Sequence, residues 1–175
     1  MIHRSITLIL IMLMCALTCA AELPVPPKGI RVYDIGSTPN FTLKDIDGES
    51  FMLENTRGNW VFLHFWASWC GPCRKEMPAI QRMSELIQDD QLDIVMINTA
   101  EDEDTIFSFL GETGTELSSL MDKDGLVTET WKPRGLPTTF LIDPNGVVRY
   151  QAIGGREWDK AVYTGFIKEL LNSDP

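Results

Sequence analysis

The stretch Trp60-Val61-Phe62-Leu63-His64-Phe65-Trp66-Ala67-Ser68-Trp69-Cys70-Gly71-Pro72-Cys73 joins a nearly unbroken apolar run to a Cys-x-x-Cys pair. An apolar run of strand length, without alternation, is the pattern of a central strand covered on both faces. Past Cys70 the period changes. Met77, Ile80, Met83 and Ile87 recur at three- and four-residue spacing, with Lys75, Glu76, Gln81 and Glu85 between them, which predicts an amphipathic helix. Cys70 therefore sits where a buried strand hands over to a helix N-terminus. Unpaired N–H groups and the helix dipole there favour an anion, so the Cys70 thiolate is stabilised, and only a thiolate attacks a disulfide. Cys73 lies three positions on, along the same helical face, and is placed to attack a mixed disulfide formed at Cys70. Gly71 permits a tight turn into the helix. Pro72 costs no hydrogen bond, because first-turn donors have no helical partner. Cys70 reads as the nucleophile and Cys73 as the resolving thiol.

Working outward, Phe41-Thr42-Leu43-Lys44 and Ser50-Phe51-Met52-Leu53 flank Asp45-Ile46-Asp47-Gly48, a hairpin signal. Asp93 to Asn98 is a second buried strand. Glu101-Asp102-Glu103-Asp104 opens a helix that Thr113-Gly114 ends. Leu126 to Trp131 reads as a short helix, and Asp122-Lys123-Asp124-Gly125, short of calcium ligands, as a turn. Thr138 to Ile142 and Val147 to Tyr150 are strands around the turn Asp143-Pro144-Asn145-Gly146. Trp158 to Leu171 is a closing amphipathic helix. Strands alternating with helices, followed by an antiparallel pair, predict an α/β fold with a mixed central sheet and helices on both faces.

A length of 175 residues suits one domain plus a short appendage. With 44% hydrophobic and 23% charged residues the chain builds a packed core. Its formal charge of −10 weighs against nucleic acid and anionic membrane surfaces as partners. At the N-terminus, Arg4 precedes an apolar run from Ile6 to Leu17 broken only by Thr7, and Ala20 and Ala21 follow. Residues 1–21 thus have the layout of a secretory signal peptide. Stretched from Ile6 to Ala21, the same run is an uncleaved membrane anchor near the lower length limit. Lipid attachment at Cys19 is a third option, which Ala16-Leu17-Thr18 fits poorly. Each reading exports the domain to a periplasmic or other extracytoplasmic space. Residues 22–35, with the proline-rich Leu23 to Gly29, read as a linker, and 36–175 as the domain. Of the four cysteines, Cys15 and Cys19 fall in the targeting segment, so the exported domain keeps Cys70 and Cys73. A bridge closing so short a loop constrains little of the unfolded chain and is more chemical than structural. Tetrahedral zinc wants four ligands, and beyond the two cysteines that domain offers one histidine, His64. The expected cofactor list is therefore empty apart from the redox-active Cys70–Cys73 disulfide.

The segment from Phe65 to Cys73 resembles the active-site segment of thioredoxins. Pro78 stands where that family kinks its long helix, and Gly135-Leu136-Pro137-Thr138-Thr139-Phe140 resembles its cis-proline loop. Phe41 to Gly48, Cys73-Arg74-Lys75-Glu76-Met77-Pro78 and Pro137 to Asp143 are similar to the TlpA/ResA-like branch, the exported and often membrane-tethered thioredoxins. The resemblance runs over about residues 36 to 171. It implies a thioredoxin-like fold with an N-terminal β-hairpin and a central βα insertion. It implies a cis Pro137 facing the cysteine pair. A cis proline turns the chain sharply and withholds its own donor, leaving the Leu136 backbone to pair with an extended substrate. Lys132, Arg134 and Leu136 flank that loop, as substrate contacts or as solvated loop residues. Glu76 matches an acidic residue that this branch uses beside its active site, where a carboxylate raises thiol pKa values and relays a proton; the competing reading is a solvated helix-face glutamate. His64 stands where cytoplasmic thioredoxins keep a buried aspartate, and is either a proton relay or a satisfied core residue. Trp66 reads as packing and Trp69 as a surface platform beside the pair.

The resemblance implies a dithiol reductase acting on disulfide-containing client proteins, such as apocytochrome c or copper-site proteins, and recharged by a membrane thiol-electron donor. The Gly-Pro dipeptide matches thioredoxin, at about −270 mV, against about −120 mV for the oxidant DsbA. Two other readings stand beside it. In a non-catalytic binding or chaperone module the pair would be vestigial, against which stand both cysteines and Pro137. A peroxiredoxin-like peroxidase wants threonine where Ala67 stands. The cytochrome-maturation thioredoxins tend to carry an acid after the cis proline, where this chain has Thr138.

Overall fold

The computed structural model describes residues 23–33, 36 and 38–173. The expected signal peptide or anchor at 1–21, with Cys15 and Cys19, lies outside them. The chain runs β1 (Ile30–Val32), β2 (Thr42–Asp45), β3 (Ser50–Met52), a 3-10 turn (Leu53–Thr56), β4 (Trp60–Trp66), α1 (Gly71–Ile87), β5 (Leu92–Thr99), α2 (Glu103–Thr113), β6 (Ser119–Asp122), α3 (Leu126–Trp131), β7 (Thr138–Ile142), β8 (Val148–Ile153) and α4 (Ala161–Leu171). The strands form one sheet in the order β1-β8-β7-β4-β5-β6-β2-β3. β4, β5 and β6 are parallel to one another, and every other pairing is antiparallel. This is the mixed, thioredoxin-like sheet expected. Between β5 and β7 the chain makes α2, β6 and α3.

All seven residues of β4 are buried, as its unalternating run predicts. Trp60, Phe62 and Trp66 point to one face and meet Met77, Ile80 and Met83 of α1, Ile106 and Phe109 of α2, and Phe166 and Leu170 of α4. Val61, Leu63 and Phe65 point to the other, toward Phe41, Leu53 and Trp131. The Trp66 ring lies 4.8 Å from Phe109, and its indole N–H donates to Ser119 Oγ at 3.0 Å. Residue parity along β4 therefore decides which helix each side chain meets, and His64 falls on the α1 face.

Three features depart from the sequence reading. β6 was not anticipated. It is four residues long and fully buried, and it joins the hairpin to the sheet through Lys44↔Met121 and Asp45↔Leu120. The segment read as linker contains β1, whose Ile30 pairs with Ala152, and the Tyr150 hydroxyl donates to Pro24 O at 2.7 Å. The last helix starts at Ala161 rather than Trp158. Trp158 is drawn wholly inside instead, edge-on to Phe62 at 4.8 Å. The Asp45–Gly48 turn forms as expected, with Asp45 Oδ1 accepting the N–H groups of Asp47 and Glu49.

Candidate active site

Cys70 leaves β4 in extended conformation and becomes the N-cap of the 17-residue α1, with Pro72 in its first turn. Its Sγ accepts the Cys73 N–H at 3.3 Å. An N-cap acceptor satisfies one of the helix's orphan donors, and in the reduced protein the same N–H and the helix dipole stabilise the thiolate. Cys70 and Cys73 are joined as a disulfide with their Cα atoms 5.3 Å apart. Their burial is unequal: Cys70 keeps 5% of its surface and Cys73 none. Trp69, immediately before the pair, is 70% exposed. Pro78 lies inside α1 and withholds the bond that would close on the Arg74 carbonyl, yet the helix runs through to Ile87.

The Leu136–Pro137 bond is cis. Pro137 directly precedes Thr138, which pairs with Phe65, so the register sets Pro137 level with the end of β4, where the chain turns into the cysteine pair. The Pro137 carbonyl accepts the Gly154 N–H at 2.9 Å, and Thr138 Oγ1 donates to Gly135 O at 2.7 Å. Leu136 is half-buried against both halves of the core, while Lys132 and Arg134 are exposed.

Glu76 is not on the solvated face of α1. It is 3% exposed, on the same inward stripe as Cys73, Met77 and Ile80. Its Oε2 accepts the Arg156 N–H at 2.9 Å, and its Oε1 lies 3.3 Å from His64 Nε2. His64, with no exposed surface, turns its Nδ1 to the Thr139 hydroxyl at 2.9 Å, across the β4–β7 pairing His64↔Thr139. The two residues singled out separately in the sequence are thus direct neighbours, with Glu76 three positions after the buried Cys73 on the helix.

Other residues of the site were not legible as such. Arg156 anchors the β8–α4 connection: its guanidinium donates to the carbonyls of Gly29, Ile153 and Gly154 and covers the Trp158 ring at 5.0 Å. Desolvation lowers its pKa, opposed by Tyr163 and Glu76. The signal for it in the sequence is the preceding Gly154-Gly155. A Cβ on Gly155 would stand 3.1 Å from the Pro72 carbonyl oxygen, so glycine is what allows this loop against the cysteine turn. Glu101 was read as part of a helix start, but α2 is capped by Asp102, which accepts the Thr105 N–H at 2.8 Å. Glu101 instead accepts from the Ser68 N–H, the Ser68 hydroxyl and the Asn98 amide, clamping the loop that leads to Cys70. Among the described residues, no group of three or more His, Cys, Asp or Glu is placed to hold a metal ion.

Comparison with known proteins agrees with this geometry. Residues 36–151 match the AhpC/TSA family. The chain is similar to the thiol-disulfide oxidoreductase ResA of Bacillus subtilis, 33% identical over 140 residues that cover 80% of this chain and 78% of that one. It is 32% identical to the ResA of Geobacillus thermodenitrificans over 85% of this chain and 84% of the relative. Among solved structures, a crystal structure described as the thiol:disulfide interchange protein DsbE of Chlorobium tepidum superposes with a TM-score of 0.72 at 31% identity, over 81% of this chain and 99% of that one. The chain belongs to the AhpC/TSA family of thioredoxin-fold proteins and is a thiol-disulfide oxidoreductase of the ResA kind.

Proposed function

We propose that the protein is exported and acts outside the cytoplasm as a reductase of disulfides in client proteins, through Cys70 and Cys73. The observation that carries this reading is Cys70 at the N-cap of α1, retaining some exposure, with Cys73 fully buried behind it. In the reduced enzyme the Cys70 thiolate attacks a client disulfide, whose S–S bond breaks and whose first sulfur leaves as a thiolate. Cys73 gives up its proton and attacks Cys70 Sγ, and the second client sulfur leaves. The client gains two electrons and the enzyme keeps the Cys70–Cys73 disulfide. A membrane thiol-electron donor then restores the dithiol. An extended client segment lies along the Leu136 backbone beside cis-Pro137, with Arg134 and the exposed Trp69 at the rim.

The clients we infer are apoproteins whose cysteines must be free before cofactor attachment, such as apocytochrome c or copper-site proteins. The targeting layout of residues 1–21 supports export, by cleavage or as a tether. The buried Ala67 offers no hydroxyl beside Cys70, which disfavours peroxidase chemistry.

The protein should accelerate reduction of insulin disulfides by dithiothreitol, and Cys70→Ser should abolish the effect; equal rates for the two would refute the assignment. Cys73→Ser should accumulate in cells as a mixed disulfide with its client. Protease added to spheroplasts should digest the domain, and protection from it would overturn export.

A further inference from the structure

Three consecutive residues after β8 each touch a different wall of the active site. The Gly154 N–H donates to the Pro137 carbonyl at 2.9 Å. Gly155 passes so close to the cysteine turn that a Cβ on it would stand 3.1 Å from the Pro72 carbonyl oxygen. The Arg156 N–H donates to Glu76 of α1 at 2.9 Å. The tripeptide thus spans the proline loop, the turn between the two cysteines and the helix that follows it. Gly154 has a φ of +84° and a second glycine follows, so the stretch has little stiffness of its own. The Arg156 side chain supplies it. Nη2 donates to the carbonyls of Ile153 and Gly154 at 3.1 Å each, closing the loop on itself. Nη1 donates at 2.8 Å to the carbonyl of Gly29, 127 positions earlier and just before β1. The guanidinium carbon lies 5.0 Å from the centre of the Trp158 ring and 5.8 Å from that of Tyr163. Withdrawing a cation from water is costly, and an apolar side chain would pack against two aromatic rings at less cost. A planar fork of five N–H donors does something else: it joins three carbonyls from two distant segments, which neither an apolar chain nor a lysine point charge does.

We propose that Arg156 is a positioning residue for disulfide exchange with extended clients: its guanidinium pins the Gly154–Arg156 loop to Gly29 and so fixes the gap between Pro137 and the Cys70–Cys73 turn. The inference rests on the reading that a client segment lies along the Leu136 backbone beside Pro137. A peptide disulfide has to meet that backbone and Cys70 Sγ at once, so its exchange depends on the spacing of two loops. A small disulfide needs Cys70 alone. Loosening the loop therefore slows the first reaction and spares the second. The chain entering β1 becomes part of the exchange machinery in this way, although it lies far from the cysteines in sequence and carries no reactive group of its own.

The test mixes the reduced full-length protein with either insulin or bis(2-hydroxyethyl) disulfide, quenches in acid, and counts the remaining thiols by alkylation and mass. Arg156→Met keeps an apolar stem against Trp158 and removes the donors. It should slow insulin reduction about tenfold and leave the hydroxyethyl disulfide within about twofold of wild type. Arg156→Lys, which keeps one charged donor group, should recover part of the insulin rate. Gly29→Ala sets a Cβ 3.2 Å from Arg156 Nη1 at a φ of +92°, so it moves the anchor and not the arginine. It should show the same selective loss, and it decides the matter where Arg156→Met does not fold. The double variant should be no slower on insulin than the slower single one, since both break one contact. Leu53→Ala, a cavity in the other half of the core, should lower the urea midpoint with the ratio of the two rates unchanged. A changed ratio there would trace the loss to instability and overturn the proposal, as would equal losses on both disulfides, or none, in either folded variant at Arg156 or Gly29. Pro137→Ala checks the reading beneath it. If that variant loses both reactions alike, docking beside Pro137 falls and the proposal with it; a selective loss there with none at Arg156 overturns the proposal alone.

Discussion

Burial separates the two cysteines more sharply than their spacing does. Both lie on one helical face, but Cys70 retains surface and Cys73 has none, so an incoming disulfide meets Cys70 first. Two neighbours hold this turn in place. Adding a Cβ at Gly155 would bring it to 3.1 Å from the Pro72 carbonyl oxygen and 3.3 Å from Pro72 Cβ, so the cysteine turn or the β8–α4 loop must give way. Gly155→Ala should lower stability by roughly 1–3 kcal/mol in urea denaturation and slow insulin reduction. No change in either would show that the loop yields freely. Glu101 supports the other side of the turn through Ser68 and Asn98. Glu101→Ala should cost about 1–3 kcal/mol and raise hydrogen exchange at the Ser68 amide, which loses its acceptor.

At the level of elements, β4 is the axis and α1 the lever. Alternate β4 side chains feed two separate apolar clusters, and the α1 face takes Trp158 from the loop before α4. The Trp158 ring touches Phe62 at 4.8 Å and Tyr163 at 5.5 Å under the Arg156 guanidinium. Trp158→Ala should destabilise the protein by about 3–5 kcal/mol, through the cavity it leaves. It should also disturb the Arg156 N–H that holds Glu76, so the loss should appear in disulfide exchange as well as in denaturation. At the edge of the sheet, β1 is three residues long and depends on β8 and on the Tyr150–Pro24 contact. Tyr150→Phe should leave the core intact and increase exchange of the β1 amides, with a loss of about 0.5–1.5 kcal/mol.

For the molecule as a whole, strand order converges the chemistry. β4 stands between β5 and β7, so the helix N-terminus that follows β4 and the cis-proline that precedes β7 meet at one end of the sheet. Stability should have an alkaline limit with an identifiable source. Burial raises the Tyr150 pKa above its usual value near 10, with Arg149 opposing. The folded state therefore holds this proton more tightly than the unfolded chain. Its contribution is complete below pH about 10 and is lost as pH rises through the higher folded value. Urea midpoints should fall above pH about 10 in the wild type and fall less steeply in Tyr150→Phe; parallel curves would assign the limit to other groups.

Thiol-disulfide chemistry and most of the frame are legible in local signals. The Cys-x-x-Cys at a strand-to-helix junction, the unalternating β4 run and the hairpin turn at Asp45–Gly48 are local signals, read from period and turn chemistry, and each stands in the structure where it was expected. Leu126–Trp131 and Thr138–Ile142 match to the residue. The remaining features depend on partners that the fold brings together. Ser119–Asp122 carries too short a pattern to mark a strand, and becomes one because β5 and the hairpin supply partners on both sides. Ile30–Val32 sits in proline-rich chain and is a strand only because the β8 edge is open to it. Glu76 falls among polar residues in the helical pattern, yet it is buried, with the Arg156 amide, eighty positions later, donating to one oxygen and His64, twelve positions earlier, facing the other. Short-range period reports what a residue prefers in isolation. Whether a polar side chain is buried depends on partners that only the fold brings within reach.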